Sequence, residues 1–171
     1  MYFNKFIGIE KIQDKELKVR EAVRAVVIRD GQILMVHSNK GDFKFPGGGV
    51  EAGETHRAAL VREIGEETGY IDVTIGKKFG VYVERIEDTY NKDGLFEMIS
   101  HYFLCQCSGK TVAQQLEGYE IEQEFTPKWM LVEEVITQNE YAMTLPEHNG
   151  WIERENYVLR RLLKIMKTTS F

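Results

Sequence analysis

The sequence has few of the features that mark secreted or membrane-spanning proteins. It has only two cysteines, Cys105 and Cys107, which are too few for a disulfide framework and are expected to be reduced thiols beside a core rather than a metal or redox pair. No apolar run approaches the roughly 20 residues that cross a bilayer. The interrupted apolar stretch at residues 1–10 lacks the cleavage site of a signal peptide. We therefore expect a soluble, cytoplasmic protein without membrane partners.

Positive charge is also in short supply. The chain carries 22 Lys and Arg against 27 Asp and Glu, a formal net charge of −5. Binding to a phosphate backbone requires clustered Lys and Arg, so nucleic acid is a disfavoured partner. A small anionic substrate would need divalent cations to offset this charge, which directs attention to grouped carboxylates.

The composition suits one globular domain. A chain of 171 residues with 43% hydrophobic content can bury a sizeable core. No low-complexity tract indicates a linker or a disordered tail. We expect a single domain over residues 1–171.

Local patterns predict two hairpins and a capped helix in the first two thirds of the chain. Apolar runs on either side of turn residues predict one hairpin over residues 22–37 and a longer one over residues 73–107. Thr55 can cap a helix N-terminus, and Gly69 can take the left-handed conformation that ends it. A helix is therefore predicted between these two residues.

The last third of the chain adds a strand and two helices. A strand is predicted at residues 127–132, with a short helix at residues 133–137 and a terminal helix over about residues 150–166. Strands outnumber helices without a regular βαβ alternation. The expected fold class is α/β in the α+β sense, a mixed sheet between helices.

Three glutamates group on the predicted central helix. Glu63, Glu66 and Glu67 fall within about a third of the helical circumference, which leaves Val61 and Ile64 for the core. Like charges at this spacing repel by a few tenths of a kcal/mol per pair, so fold stability does not favour the grouping. Carboxylate oxygens are ligands that Mg²⁺ prefers, whereas the alternative is a solvated acidic face.

The spacing around this helix decides between the two. Gly48 is followed after five residues by Glu54, and after seven more by the run Arg62-Glu63-Ile64-Gly65-Glu66-Glu67-Thr68-Gly69-Tyr70. This pattern resembles the Nudix box and matches each of its fixed positions. Tyr70 departs from the usual aliphatic residue, which affects packing rather than ligation. The resemblance extends over roughly residues 22–137.

The resemblance implies a fold and a reaction. The fold would be a Nudix-type α/β/α sandwich, and the reaction would be Mg²⁺- or Mn²⁺-dependent hydrolysis of a pyrophosphate bond. The substrate would be a nucleoside diphosphate linked to another moiety, such as a nucleotide sugar, an ADP-ribose-like compound, a nucleoside triphosphate or a dinucleoside polyphosphate. The alternative is a nucleotide-binding regulatory module without turnover, which would not need the crowded carboxylates. Proteins of this family often form homodimers, and the sequence leaves the oligomeric state open.

Site residues follow from the resemblance position by position. The implied metal ligands are the carboxylates of Glu63, Glu66 and Glu67 and the carbonyl of Gly48. Arg62 and Glu54 would orient these ligands, as buried hydrogen-bond partners do in metal sites. The general base is either a box glutamate or one of three acids in a later loop, Glu120, Glu122 and Glu124.

Substrate contacts are expected close to the glycine loop. Arg20 and Arg24 share one face of a strand by parity, and Phe43 and Lys44 directly precede the loop. Phosphate pairing and base stacking are the roles that these residue types allow. Plain packing and solubility are the alternatives.

Overall fold

One mixed β-sheet with helices on both faces organises the chain. The computed structural model describes residues 2–10 and 12–168. In chain order the elements are β1 (Phe3–Gly8), β2 (Glu16–Arg29), β3 (Gln32–His37), β4 (Phe43–Lys44), α1 (His56–Thr68), β5 (Val73–Glu87), β6 (Gly94–Cys107), α2 (Tyr119–Glu122), β7 (Thr126–Leu131), α3 (Val132–Met143) and α4 (Ile152–Thr168). Among these residues, no helix has both the length and the apolar character needed to span a membrane.

The strands run across the sheet in the order β1–β5–β6–β2–β3–β4, and β7 also pairs with β3. The pairs β1–β5 and β2–β6 are parallel and the other pairs are antiparallel, which confirms the predicted mixed sheet. Both predicted hairpins are present. The first turns at Asp30 and Gly31, whose positive φ angles of 50° and 78° belong to the tight turn that suits twisted strands.

Two apolar clusters lie on opposite faces of this sheet. One packs α1 against alternate residues of β2, including Val23 and Ala25. The other packs α3 and α4 against the opposite face, where Val26 is buried. Side chains alternate between the faces of a strand, so consecutive apolar residues of β2 serve both clusters. The result is three layers, with the sheet in the middle.

Helix α1 begins and ends where the sequence predicts. The Thr55 side chain accepts a hydrogen bond from the Ala58 N–H at 3.1 Å. Gly69 is left-handed, with φ 79°, and its N–H donates to the Gly65 carbonyl at 2.9 Å. Both caps satisfy backbone groups that the end of a helix leaves free.

The buried face of α1 differs from the predicted one. Leu60, Glu63, Ile64 and Glu67 are all buried, and their i, i+3, i+4, i+7 spacing forms one continuous stripe. Val61 lies off this stripe and is exposed, so its predicted core position is wrong. Two of the glutamates therefore point into the protein, towards the glycine loop, rather than out to solvent.

Helix α3 is longer than the short helix predicted for residues 133–137 and includes Asn139, which binds buried backbone. Asn139 accepts a hydrogen bond from the Phe43 N–H at 2.7 Å and donates to the Phe43 carbonyl at 3.1 Å. From α4, Glu155 accepts a hydrogen bond from the Phe45 N–H at 2.9 Å. These two side chains hold β4 and the start of the glycine loop from the far layer of the fold.

Two smaller predictions are also met. The terminal helix expected over about residues 150–166 is α4. Cys105 and Cys107 are free thiols, the first buried and the second partly buried. Burial raises the pKa of Cys105 to about 12, which keeps it a thiol at neutral pH.

Candidate active site and its acidic cluster

Carboxylates from two helices converge at one end of the sheet. Glu63 and Glu67 on α1 and Glu120 on α2 place carboxylate oxygens within 4.8 Å of one another. Glu66 lines the same small cavity as Glu63 and Glu120. We call Glu63, Glu66, Glu67 and Glu120 the acidic cluster. Such grouped oxygens are suited to a hard divalent cation.

The glycine loop at residues 46–49 fits closely against this cluster. A Cβ atom on Gly48 would lie 2.4 Å from the Glu63 carboxylate, and one on Gly47, whose φ is 141°, would lie 2.0 Å from the Val23 carbonyl oxygen. Only glycine fits at Gly47, where the contact is with backbone, whereas a side chain at Gly48 would have to displace the Glu63 carboxylate. The Gly48 carbonyl accepts a hydrogen bond from the Val23 N–H at 2.9 Å, which leaves a second lone pair for a cation.

Arg62 joins three carboxylates in one network. Its guanidinium donates to both oxygens of Glu54 at 2.9 Å, to Glu63 at 2.8 Å and to Glu66 at 3.2 Å. A further bond of 3.0 Å reaches the Gly49 carbonyl. The hydrogen bonds from Arg62 lower the pKa of Glu54 from 4.5 to about 2. The structure thus holds the rotamers of two box glutamates with a fixed, planar donor.

Glu67 forms a buried ion pair with Lys44. Both side chains are almost completely buried, and the ammonium also donates to the Gly47 carbonyl at 3.1 Å. Glu67 accepts a second hydrogen bond, from the Gly47 N–H at 2.9 Å. Burial raises the pKa of Glu67, and the charge of Lys44 opposes this effect. Lys44 therefore neutralises Glu67 inside the protein, which does not fit the expected contact with substrate.

A cleft opens beside the acidic cluster. A cavity of about 210 Å³ lies over the cluster, and one of about 450 Å³ adjoins it. Both are lined by Arg20 and Gly49. The larger one is also lined by Arg24, Gly48, Phe96, Met98, Tyr119, Trp151 and Arg154. A cavity of about 1120 Å³ elsewhere in the fold is lined by no residue of the acidic cluster.

Arg24 borders this cleft and has one unpaired, buried donor. Its Nη1 donates to the Gly47 carbonyl at 2.6 Å. Its Nε is buried and has no hydrogen-bond partner among the described residues. A buried donor without a partner costs roughly 1–3 kcal/mol.

The other site residues predicted from the sequence differ in where they lie in the structure. Of the three loop acids, Glu120 alone lies in the acidic cluster, whereas Glu122 and Glu124 are exposed. Phe43 is a core residue whose ring packs on His37 at 4.6 Å between ring centroids. Stacking of a nucleobase on Phe43 does not fit this position.

Two aromatic residues of the cleft, Tyr119 and Trp151, were not predicted from the sequence as site residues. The rings of Tyr119 and Trp151 are 6.4 Å apart between centroids, and Trp151 Nε1 donates to Asp42 at 2.6 Å. They lie far from the box along the chain, where no spacing rule applies. The only available signal was the rarity of tryptophan, of which the chain has two.

Comparison with known proteins agrees with this geometry. The family model described as NUDIX domain matches residues 18–153. The CTP pyrophosphohydrolase of Escherichia coli is 42% identical over 66 residues, which are 36% of this chain and 48% of that protein. The ADP-ribose pyrophosphatase of Methanocaldococcus jannaschii is 45% identical over 65 residues, 36% of this chain and 38% of that protein.

A solved structure matches over more of the chain. The NUDIX hydrolase from Nitrosomonas europaea aligns with a TM-score of 0.56 at 20% identity, over 82% of this chain and 90% of that one, which shows the same fold. The two curated relatives are matched over less than half of their own length. The family match covers most of the present sequence, and the chain therefore belongs to the Nudix family.

Proposed function

We propose that this protein hydrolyses the pyrophosphate bond of a nucleoside diphosphate linked to another moiety, in a reaction that depends on a divalent metal. The observation that carries the proposal is that the acidic cluster opens onto a cleft lined by Arg20, Arg24 and aromatic side chains. Anion-binding and metal-binding groups thus face one space. The names of the two curated relatives, a pyrophosphohydrolase and a pyrophosphatase, support the class of bond.

The residues present fit Mg²⁺ or Mn²⁺. Glu63, Glu66, Glu67 and the Gly48 carbonyl would hold the cation, since all four offer oxygen ligands. The close approach of Glu63 to Gly48 supports a shared ligand position. When bound, the metal would offset the charge of a diphosphate and lower the pKa of a water molecule.

Arginines and aromatic residues would position the substrate. Arg24 lines the larger cavity and Arg20 borders both, and a guanidinium is suited to phosphate oxygens. A space of about 450 Å³ is in the range of small-ligand sites. A nucleobase would stack on Tyr119 or Trp151, and such stacking contributes about 1–3 kcal/mol.

Glu120 would act as the general base. Its carboxylate lies with those of Glu63 and Glu67, yet among the described residues it forms no ion pair and accepts one hydrogen bond, from the Glu117 N–H at 3.1 Å. In hydrolysis, a water oxygen bonds to one phosphorus while the bond from that phosphorus to the bridging oxygen breaks. Glu120 accepts the proton of the water, and the bridging oxygen leaves with the second phosphate.

A turnover assay tests the class of reaction. Nucleotide or phosphate release is measured from CTP, other nucleoside triphosphates, ADP-ribose, a nucleotide sugar and a dinucleoside polyphosphate, with Mg²⁺, with Mn²⁺ and with a chelator. Metal-dependent cleavage of one class is expected. Binding of these compounds without any turnover would favour the regulatory module instead.

The role of Glu120 is tested separately with a matched pair of variants. Glu120→Gln should lower kcat by about 100- to 10,000-fold and remove the decline in rate at acidic pH, with little change in the metal concentration required. Glu122→Gln alters an exposed acid of the same short helix and should match the wild type. A higher metal requirement at near-normal kcat would instead make Glu120 a metal ligand.

A further inference from the structure

A second group of potential metal ligands lies at the start of α1, apart from the acidic cluster. Glu21 on β2, His56 at the first position of α1 and His101 on β6 place ligand atoms within 4.8 Å of one another. His56 precedes Glu63 by seven residues, which is about 10 Å along a helix axis. The two groups therefore meet α1 at different turns.

Both imidazoles direct the same nitrogen at one carboxylate. His101 Nε2 lies 2.8 Å from one oxygen of Glu21, and His56 Nε2 lies 3.4 Å from the other. The two rings lie side by side, with centroids 4.2 Å apart and a tilt of 32°. Ligands at 2.0–2.2 Å from a tetrahedral Zn²⁺ ion are about 3.3 Å apart. The three ligand atoms lie within 4.8 Å of one another, so rotation of these side chains would bring them to the separation that one ion requires.

We propose that Glu21, His56 and His101 form a second metal site, which takes Zn²⁺ or a similar transition-metal cation. Two imidazoles with one carboxylate make a ligand set that suits Zn²⁺, whereas Mg²⁺ prefers oxygen ligands. The different ligands of the two sites would thus make each site selective for one of the two ions. Mg²⁺ belongs to the acidic cluster, and the imidazole-containing site takes the softer ion.

The polar contacts of the His101 ring are few. Its Nδ1 has no hydrogen-bond partner among the described residues, so the Glu21 carboxylate is the only polar anchor of the ring. A cation at Nε2 would replace this one hydrogen bond, and the ring proton would then lie on Nδ1.

The site has three protein ligands and remains open to solvent. The side chains of Glu21 and His56 are 44% and 32% exposed, so a water molecule can complete a four-coordinate shell. Its ligands come from two paired strands and from α1. A bound ion would therefore fasten the beginning of the helix that carries the box glutamates to the sheet.

One nearby positive charge opposes cation binding, so its removal should strengthen binding of the metal. Lys78 on β5 interacts with both Glu21 and His101 and is exposed. Its positive charge would repel a cation at this site. Lys78→Gln should consequently bind the metal several-fold more tightly than the wild type.

Calorimetric titration of Zn²⁺ in excess Mg²⁺ tests the proposal, with the full chain as it is. The wild type should bind one ion per chain, and His56→Ala and Glu21→Gln should bind at least about 10- to 100-fold more weakly, the loss that even an outer-shell change causes. His148→Ala removes an exposed histidine outside the site and should match the wild type. Thermal unfolding without metal checks that each variant folds.

Titration with Co²⁺ supplies a readout independent of catalysis. Intense visible absorption bands, expected for a four-coordinate ion with nitrogen ligands, should appear in the wild type and be lost in His56→Ala. Equal Zn²⁺ affinity in all variants, or no binding by the wild type, would overturn the proposal. So would loss of the ion in Glu66→Gln with retention in His56→Ala, because the ion would then belong to the acidic cluster.

Discussion

Replacement of Glu67 by glutamine separates the stability of this fold from its catalysis. From the sequence, Glu67 is a charged ligand on a face outside the core, so its neutral isostere should keep the fold intact. The structure contradicts that premise, because Glu67 is fully buried against Lys44. Glu67→Gln would leave the buried Lys44 ammonium without its counter-charge among the described residues, although the Gly47 carbonyl at 3.1 Å would still accept its hydrogen bond.

The expected loss of stability follows from the burial of this pair. Removal of one partner of a buried ion pair costs about 3–5 kcal/mol. Glutamine can still accept the hydrogen bond from the Gly47 N–H, so the lower end of this range applies. For a chain of this size, each kcal/mol lowers Tm by about 2–4 °C, which gives a decrease of about 6–12 °C.

Urea and thermal unfolding of four proteins, each paired with a turnover assay, would check this reasoning. Glu66→Gln is the matched control, because its side chain is 35% exposed and its hydrogen bond to Arg62 is long, so it should lose activity but less than about 1 kcal/mol of stability. The double variant Lys44→Met/Glu67→Gln should regain much of the lost stability without regaining activity. If Glu67→Gln unfolds within about 1 kcal/mol of the wild type, the buried-pair argument is wrong.

Three further predictions concern the neighbourhood of the cluster. Arg62 holds the pKa of Glu54 at about 2 instead of 4.5, so the ionised carboxylate stabilises the folded state above pH 4.5. Urea unfolding should show that the wild type is more stable than Glu54→Gln above this pH, and that the difference disappears as pH falls from 4.5 to 2. Tyr119→Ala should raise KM for nucleotides on the order of tenfold at similar kcat, and an unchanged KM would exclude stacking there. Gly48→Ala should displace Glu63, since the added Cβ would lie 2.4 Å from its carboxylate, and metal titration should show weaker binding; unaltered metal affinity would contradict this.

The elements that local chemistry determines could be predicted from the sequence. Thr55 and Gly69 mark the ends of α1 because a hydroxyl cap and a left-handed glycine act on adjacent backbone. The box glutamates are identified by their spacing, which requires no knowledge of the fold. Hairpin turns are equally local, and both were located correctly.

Features that depend on distant contacts could not be predicted. The burial of Glu67 requires Lys44 on a strand 23 residues earlier, and a helical wheel of α1 contains no information about that strand. The selection of Glu120 over its neighbours depends on how α2 folds back towards α1. The aromatic lining of the cleft likewise comes from segments that only the tertiary fold brings to the box.

The attachment of β4 to the far layer means that the helices behind the sheet are linked to the candidate active site. Asn139 holds the backbone of Phe43, and the next residue along is Lys44, the partner of Glu67. A change at Asn139 in α3 can therefore reach Glu67 through Phe43 and Lys44. We expect that replacement of α3 by an unrelated helix would impair the site. A compound that breaks the hydrogen bonds between Asn139 and Phe43 should likewise inhibit turnover without entering the cleft.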